Sequence, residues 1–143
     1  STFTPENFPF EIKQNPSNLN ALGLVKFMFP NRFSIYMHDT PSKELFFRDE
    51  RTFSHGCIRV QDPFDFAHVL LTGQMEDPIS GFVNFLEKDK EVQINLNESV
   101  PVYIQYRTVF SGHSGRINYR SDIYGRDAMV FLSMLDAGFV VEL

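Results

Sequence analysis

From Leu22 to Thr40 the chain reads LGLVKFMFPNRFSIYMHDT, two β-branched and aromatic runs parted by Pro30, Asn31 and Arg32, a pattern that predicts a hairpin with His38 at the end of its second strand. A polar connection, PSKELFFRDERTF, leads to SHGCIRV, which predicts a loop. Asp62 and Pro63 then supply an N-cap acid and a proline at the first helical position, FAHVLLT continues the helix, and Gly73 stops it. A second helix opens at Asp77 and Pro78 and runs to about Lys88. EVQINL and VPVYIQYRTVF alternate well enough to predict strands, with a Gly-containing hairpin turn in SGHSGRINY and a closing helix in YGRDAMVFLSMLDAG. Before all of this, Ser1 to Asn20 is rich in Pro and Asn and predicts irregular structure with a short strand over Phe10 to Lys13. The chain has neither an internal repeat nor a parallel βαβ rhythm, so the pattern predicts a β-rich α+β domain with short helices packed at its margins.

At 143 residues the chain is long enough for one domain, and a chain of this size buries roughly 68–70% of the surface its unfolded form exposes. Sixteen Phe and five Tyr argue for a folded core and against disorder. The net charge of −5, with both signs interspersed, leaves no basic stripe for a phosphate backbone, so nucleic acid is not an expected partner. No stretch reaches the 18 apolar residues that predict a membrane span.

Cys57 is the only cysteine. A lone cysteine is ordinarily inert packing, but a thiol beside a base becomes a thiolate and hence a nucleophile. Two histidines are candidates: His55 shares the loop of Cys57 and is the poorer base, whereas His38, at a strand end nineteen positions upstream, can be returned to face the thiol. Gly56 has no Cβ, which lets a substrate carbonyl approach the N–H groups around Cys57 as an oxyanion hole requires. A metal centre built from His38, Asp39, His55 and Cys57 matches no zinc spacing and lacks a second cysteine; no metal and no cofactor are expected. His68 falls on a predicted helix and His113 in a Gly-rich turn, and neither is a site candidate.

The block SHGCIRV, with His38 followed by fifteen residues and then Ser54, resembles the signature of the L,D-transpeptidase catalytic domain, the YkuD-like family. NALGLVKFMFPN, IYMHDTPSKELF, RTFSHGCIRVQDPFDFAHVLL and RSDIYGRD extend that resemblance, toward the large periplasmic branch, over most of residues 18 to 127. The resemblance implies a mixed and antiparallel β-sheet core, with Cys57 as nucleophile, His38 as base, the backbone of Asp39 orienting the imidazole, and Gly56 and Cys57 N–H groups as the oxyanion hole. It makes Arg59, His55, Tyr36 and Ser54 residues that line or support the substrate pocket; for Arg59 a structural ion pair stands as an equal alternative to carboxylate binding. The implied activity is peptidoglycan cross-linking, or attachment of envelope lipoproteins, through a cysteine acyl-enzyme in the periplasm, with carbapenems as inhibitors. Hydrolytic cleavage by the same acyl-enzyme, or a peptidoglycan-binding module without turnover, are the alternatives. Family domains open with further strands and a lid that are absent or reduced to FTPENFPF here, so residues 1–143 are expected to be a single catalytic domain forming the C-terminal part of a larger protein.

Overall fold

A computed structural model describes residues 3–4, 7–88 and 90–140. The chain divides into two compact units, Ser1–Pro101 and Val102–Leu143. In the first, strands β1 (Lys26–Phe27) and β2 (Met37–His38) form the expected antiparallel hairpin, with Lys26 opposite His38 and Phe27 opposite Met37. Asn31 organises its loop: the side-chain oxygen accepts from the N–H groups of Phe33 and Ile35 at 3.0 and 3.1 Å, while its amide nitrogen donates to the carbonyls of Phe29 and Ile35. A third strand, β3 (Ile58–Arg59), lies parallel to β2, giving a mixed sheet in the order β1-β2-β3. The pattern gave no parallel pairing, because the connection from β2 to β3 contains no α-helix, only a 3₁₀ turn at Lys43–Phe47 within the polar connection.

Two helices follow, α1 (Pro63–Leu71) and α2 (Pro78–Leu86). Helix α1 buries Pro63, Ala67 and Leu71, one stripe at four-residue spacing, and Phe66 on the adjoining flank packs against Phe27 of β1 with ring centroids 4.8 Å apart. Phe64 meets Phe82 of α2 at 5.8 Å. Ala67 and Leu71 are the centre of the described apolar core, and burying a leucine contributes about 2 kcal/mol. Asp77 caps α2 by accepting from the Ser80 N–H at 3.0 Å, whereas Asp62, expected to cap α1 in the same way, makes no side-chain bond to the helix. Gly73, at φ 80°, ends α1 in the left-handed conformation that favours glycine.

The strands expected at Phe10–Lys13 and in EVQINL are not formed, and of VPVYIQYRTVF only the end is a strand. Alternation suits a residue to a pleated surface but does not supply the neighbouring edge that a ladder needs. In EVQINL, Glu91 instead pairs with Lys26 at 2.6 Å and Lys13 at 3.4 Å. In the second unit β4 (Val109–Ser111) and β5 (Ile117–Tyr119) form the predicted antiparallel hairpin, followed by α3 (Arg126–Asp136). Asp122 accepts from the first N–H groups of α3, those of Arg126, Asp127 and Ala128, and from the Tyr106 hydroxyl.

Candidate active site

Side chains alternate across a strand, and residues level with each other in a parallel pair share a face. Met37 lies level with Ile58 and His38 with Arg59; the Ile58 N–H donates to the Tyr36 carbonyl at 2.9 Å and the Val60 N–H to the His38 carbonyl at 2.8 Å. This register puts Met37 and Ile58 on one face and the sequence triplets' outer residues, Tyr36, His38, Cys57 and Arg59, together on the other. Tyr36 is level with Cys57; burial, followed by the neighbouring Cys57 thiol, pushes the phenol above its ordinary value, with Lys26 opposing. The Tyr36 and His38 rings meet edge to face at 5.9 Å. Imidazole and thiol are thus diagonal neighbours on one face.

His38 is buried, and its Nδ1 bonds to the backbone carbonyl of Asp39. A carbonyl only accepts, so Nδ1 carries the hydrogen and a neutral ring keeps its lone pair on Nε2. Asp39 is itself 7% exposed and held on all sides: Oδ2 accepts from the Leu24 N–H at 3.0 Å, and Oδ1 accepts from the Thr40 N–H at 2.7 Å and pairs with Lys43 Nζ at 2.8 Å. Burial alone would raise its pKa, but the hydrogen bonds from Lys43, Leu24 and Thr40 and the Lys43 charge outweigh it and hold the carboxyl below its ordinary value. Gly23, at φ 63°, lies so close that a Cβ there would overlap the Asp39 side chain.

The loop before Cys57 is exposed at Ser54, His55 and Gly56. Gly56 has φ 154°, a backbone angle that side-chain-bearing residues rarely adopt, although a Cβ would meet nothing closer than Ile35 at 3.6 Å; the angle, not crowding, requires the glycine. Its N–H donates to Ser54 Oγ at 3.1 Å, so this amide is engaged within its own loop. Arg59 carries a buried Nη1 with no hydrogen-bond partner among the described residues. His68 sits in α1 and His113 in the turn between β4 and β5. Among the described residues no cluster of three His, Cys, Asp or Glu side chains is arranged to hold a metal ion, and no helix is long and apolar enough to cross a membrane.

Of the residues singled out in the sequence, Tyr36, His38, Cys57 and Arg59 share a face, and the Asp39 carbonyl accepts from the imidazole; Gly23 and Lys43 were not among them. The signals were present: a glycine inside an otherwise apolar strand marks a close approach, and Lys43 follows Asp39 by four positions.

A thiol, an imidazole with one nitrogen committed to a carbonyl, and a guanidinium whose Nη1 has no partner among the described residues thus share one sheet face, and a thiol beside a base is the pairing that nucleophilic chemistry needs. Residues 2–104 match the family model of the YkuD L,D-transpeptidase catalytic domain, and the chain belongs to that family. A protein of Haemophilus influenzae named "Putative L,D-transpeptidase" is 32% identical over 131 residues, an alignment that covers 90% of this chain and 26% of the relative. The chain therefore spans about a quarter of that relative's length. L,D-transpeptidases act on peptidoglycan.

Proposed function

We propose that the protein is a peptidoglycan L,D-transpeptidase that works through a Cys57 acyl-enzyme in the cell envelope, on the periplasmic side. The observation that carries this reading is the β2–β3 register, which sets Cys57 and His38 on one face with the His38 Nδ1 already committed to Asp39. Cys57 gives its proton to His38 Nε2, and the thiolate attacks the carbonyl that joins the third-position diamino acid of a stem peptide to the terminal D-Ala. The tetrahedral oxyanion is received by the Cys57 N–H and, once Ser54 releases it, the Gly56 N–H. Collapse breaks the C–N bond, His38 protonates the departing D-Ala amine, and a thioester remains. The side-chain amine of a second stem then attacks the thioester, loses its proton to His38 and leaves an amide cross-link and a free thiol.

Tyr36, level with Cys57 in the register, shapes the pocket, and His55 holds the loop beside it. The unpartnered Nη1 of Arg59 supports its assignment to a stem carboxylate over a structural ion pair. A carbapenem, whose strained carbonyl takes the donor's place, acylates the same sulfur.

The test incubates the full-length protein with purified muropeptides and resolves the products by mass. Cross-linked dimers with release of D-Ala are expected from the wild type and from no preparation of Cys57→Ala, whose circular dichroism stays unchanged. Trimmed tripeptides alone would make the enzyme a hydrolase, transfer to an envelope lipoprotein would change the acceptor, and unchanged substrate would make it a binding module. A carbapenem adduct seen by intact mass in the wild type and absent from Cys57→Ala places the acyl group on the thiol; acyl transfer retained in Cys57→Ala ends the covalent mechanism.

A further inference from the structure

The strands that bring His38 and Cys57 together are two residues long, and at either end of their pairing the Ile58 N–H donates to the Tyr36 carbonyl and the Val60 N–H to the His38 carbonyl. So short a ladder gains little cooperativity, and the pairing of the two strands ends at His38 and Arg59. At that point the Lys43 side chain crosses from one to the other. Its Nζ pairs with Asp39 Oδ1 at 2.8 Å and donates to the carbonyls of Gln61 at 2.6 Å and Val60 at 3.2 Å. An ammonium has three donors, and all three are used. One partner lies directly after His38, the others three and four positions after Cys57.

We propose that Lys43 is a positioning residue that clamps the strand end bearing His38 to the strand end bearing Cys57, and so fixes the distance and angle at which imidazole meets thiol. The inference rests on the reading of His38 and Cys57 as base and nucleophile. Lys43 acts through two neighbours. Its pull on the Asp39 carboxylate holds the peptide whose carbonyl orients the His38 ring, and its bonds to Val60 and Gln61 hold the segment that follows the nucleophile. These contacts are charge-assisted, and the bond to the Gln61 carbonyl is at the short end of the hydrogen-bond range. A cation in the first turn of a helical segment gains nothing from the backbone dipole there, so the location of Lys43 at the start of the 3₁₀ turn is explained by what its side chain reaches. Losing the clamp leaves each loop folded by its own bonds but releases their relative position, and a displacement of about 1 Å at a reacting pair costs on the order of a hundredfold in rate.

The test compares wild type, Lys43→Met and Lys43→Arg in the full-length protein, reading muropeptide turnover, the pH–rate profile of Cys57 alkylation by iodoacetamide with the site mapped by mass, and thermal unfolding. Lys43→Met is expected to lower kcat and the neutral-pH alkylation rate by about tenfold to a hundredfold, to move the alkylation profile to higher pH, and to leave KM near its wild-type value. Lys43→Arg, which still bridges a carboxylate and a carbonyl, should recover part of both rates. A Lys43→Met profile that superimposes on the wild type overturns the proposal, as does an activity loss that follows only the loss of folded protein. If Lys43→Met does not fold, Asp39→Asn, which keeps one side-chain acceptor, for either the Leu24 or the Thr40 N–H, and removes the charge that Lys43 pairs with, carries the same expectation, and an unaltered profile there overturns the proposal equally. A wild-type thiol that reacts like a free one, with its midpoint near 8.5, overturns the base–nucleophile reading and the clamp together, whereas an activated wild type with an unaffected Lys43→Met overturns the clamp alone.

Discussion

Replacing Gly23 by alanine should damage this protein far more than the same change at Gly73, and the difference measures how tightly Asp39 is held. Both glycines have positive φ, 63° and 80°, so both substitutions place an L side chain in the left-handed region at roughly 1–2 kcal/mol. About 0.4–1 kcal/mol returns through the stiffer unfolded chain, which leaves about 1 kcal/mol. At Gly73 that is the whole effect, because a Cβ there meets nothing within 4 Å. At Gly23 the new methyl overlaps the Cβ, Cγ and Oδ2 of Asp39. The carboxylate must withdraw, and the atom displaced first is the one that accepts from the Leu24 N–H; the Thr40 N–H on the other oxygen goes with it. Hydrogen bonds to charged groups contribute about 1.5–3 kcal/mol each. With water reaching part of the vacated site beside the half-exposed Lys43, the extra loss is about 3 kcal/mol, for a total near 4 kcal/mol at Gly23 against about 1 kcal/mol at Gly73. Urea unfolding with a shared m-value reads both. Iodoacetamide alkylation of Cys57 should also slow in Gly23→Ala and hold in Gly73→Ala, since only the former moves the residue whose carbonyl accepts from His38. Two variants destabilised equally, to within about 0.5 kcal/mol, would refute the account of Asp39 as a packed and bonded anchor.

The two histidines separate by the same chemistry: His38→Ala should slow neutral-pH alkylation of Cys57 strongly, while His55→Ala, in the exposed part of the loop, should impair muropeptide turnover more than alkylation. A profile displaced by His55→Ala and unmoved by His38→Ala reverses their roles. Asp39 sets an acid limit on stability: its folded-state pKa lies below the ordinary carboxylate value of about 3.9, so its contribution is complete above that value and is lost as pH falls through the folded one. Asp39→Asn should therefore be less stable than wild type at pH 7, with the gap closing below about pH 4 in urea titrations; a gap that stays constant down to pH 2 contradicts the assignment.

What could be read from the sequence, and what could not, follows from the range of the interactions involved. The hairpin through Pro30, Asn31 and Arg32 was legible because Asn31 closes its loop with bonds to residues two and four positions away. Both Asp-Pro pairs announced helices for an equally local reason, the fixed φ of proline at the first turn. Only Asp77 completes its cap, however, because the position of the Asp62 side chain depends on surroundings beyond its own turn. EVQINL failed as a strand for the opposite reason: its alternation is local, but the edge it would need is not, and Glu91 satisfies its charge on Lys13 and Lys26 instead. The family resemblance supplied the mixed sheet, which the residue pattern could not, since β3 is two residues long and reaches β2 without a crossover helix.

The candidate site combines both kinds of information. The triplets Tyr36-Met37-His38 and Cys57-Ile58-Arg59 each present their outer residues to one side, which is legible from alternation, but that the two sides coincide depends on a parallel register fixed by the Tyr36 and His38 carbonyls. Asp39 is where local and distant interactions meet. Its backbone carbonyl sets the imidazole, and its side chain gathers Leu24 from before the hairpin and Lys43 from after it. Under the proposed mechanism a residue so placed couples the reactivity of the thiol to the integrity of the segment around Gly23. Under that mechanism the loss of either should therefore appear both as a less reactive thiol and as a less stable fold.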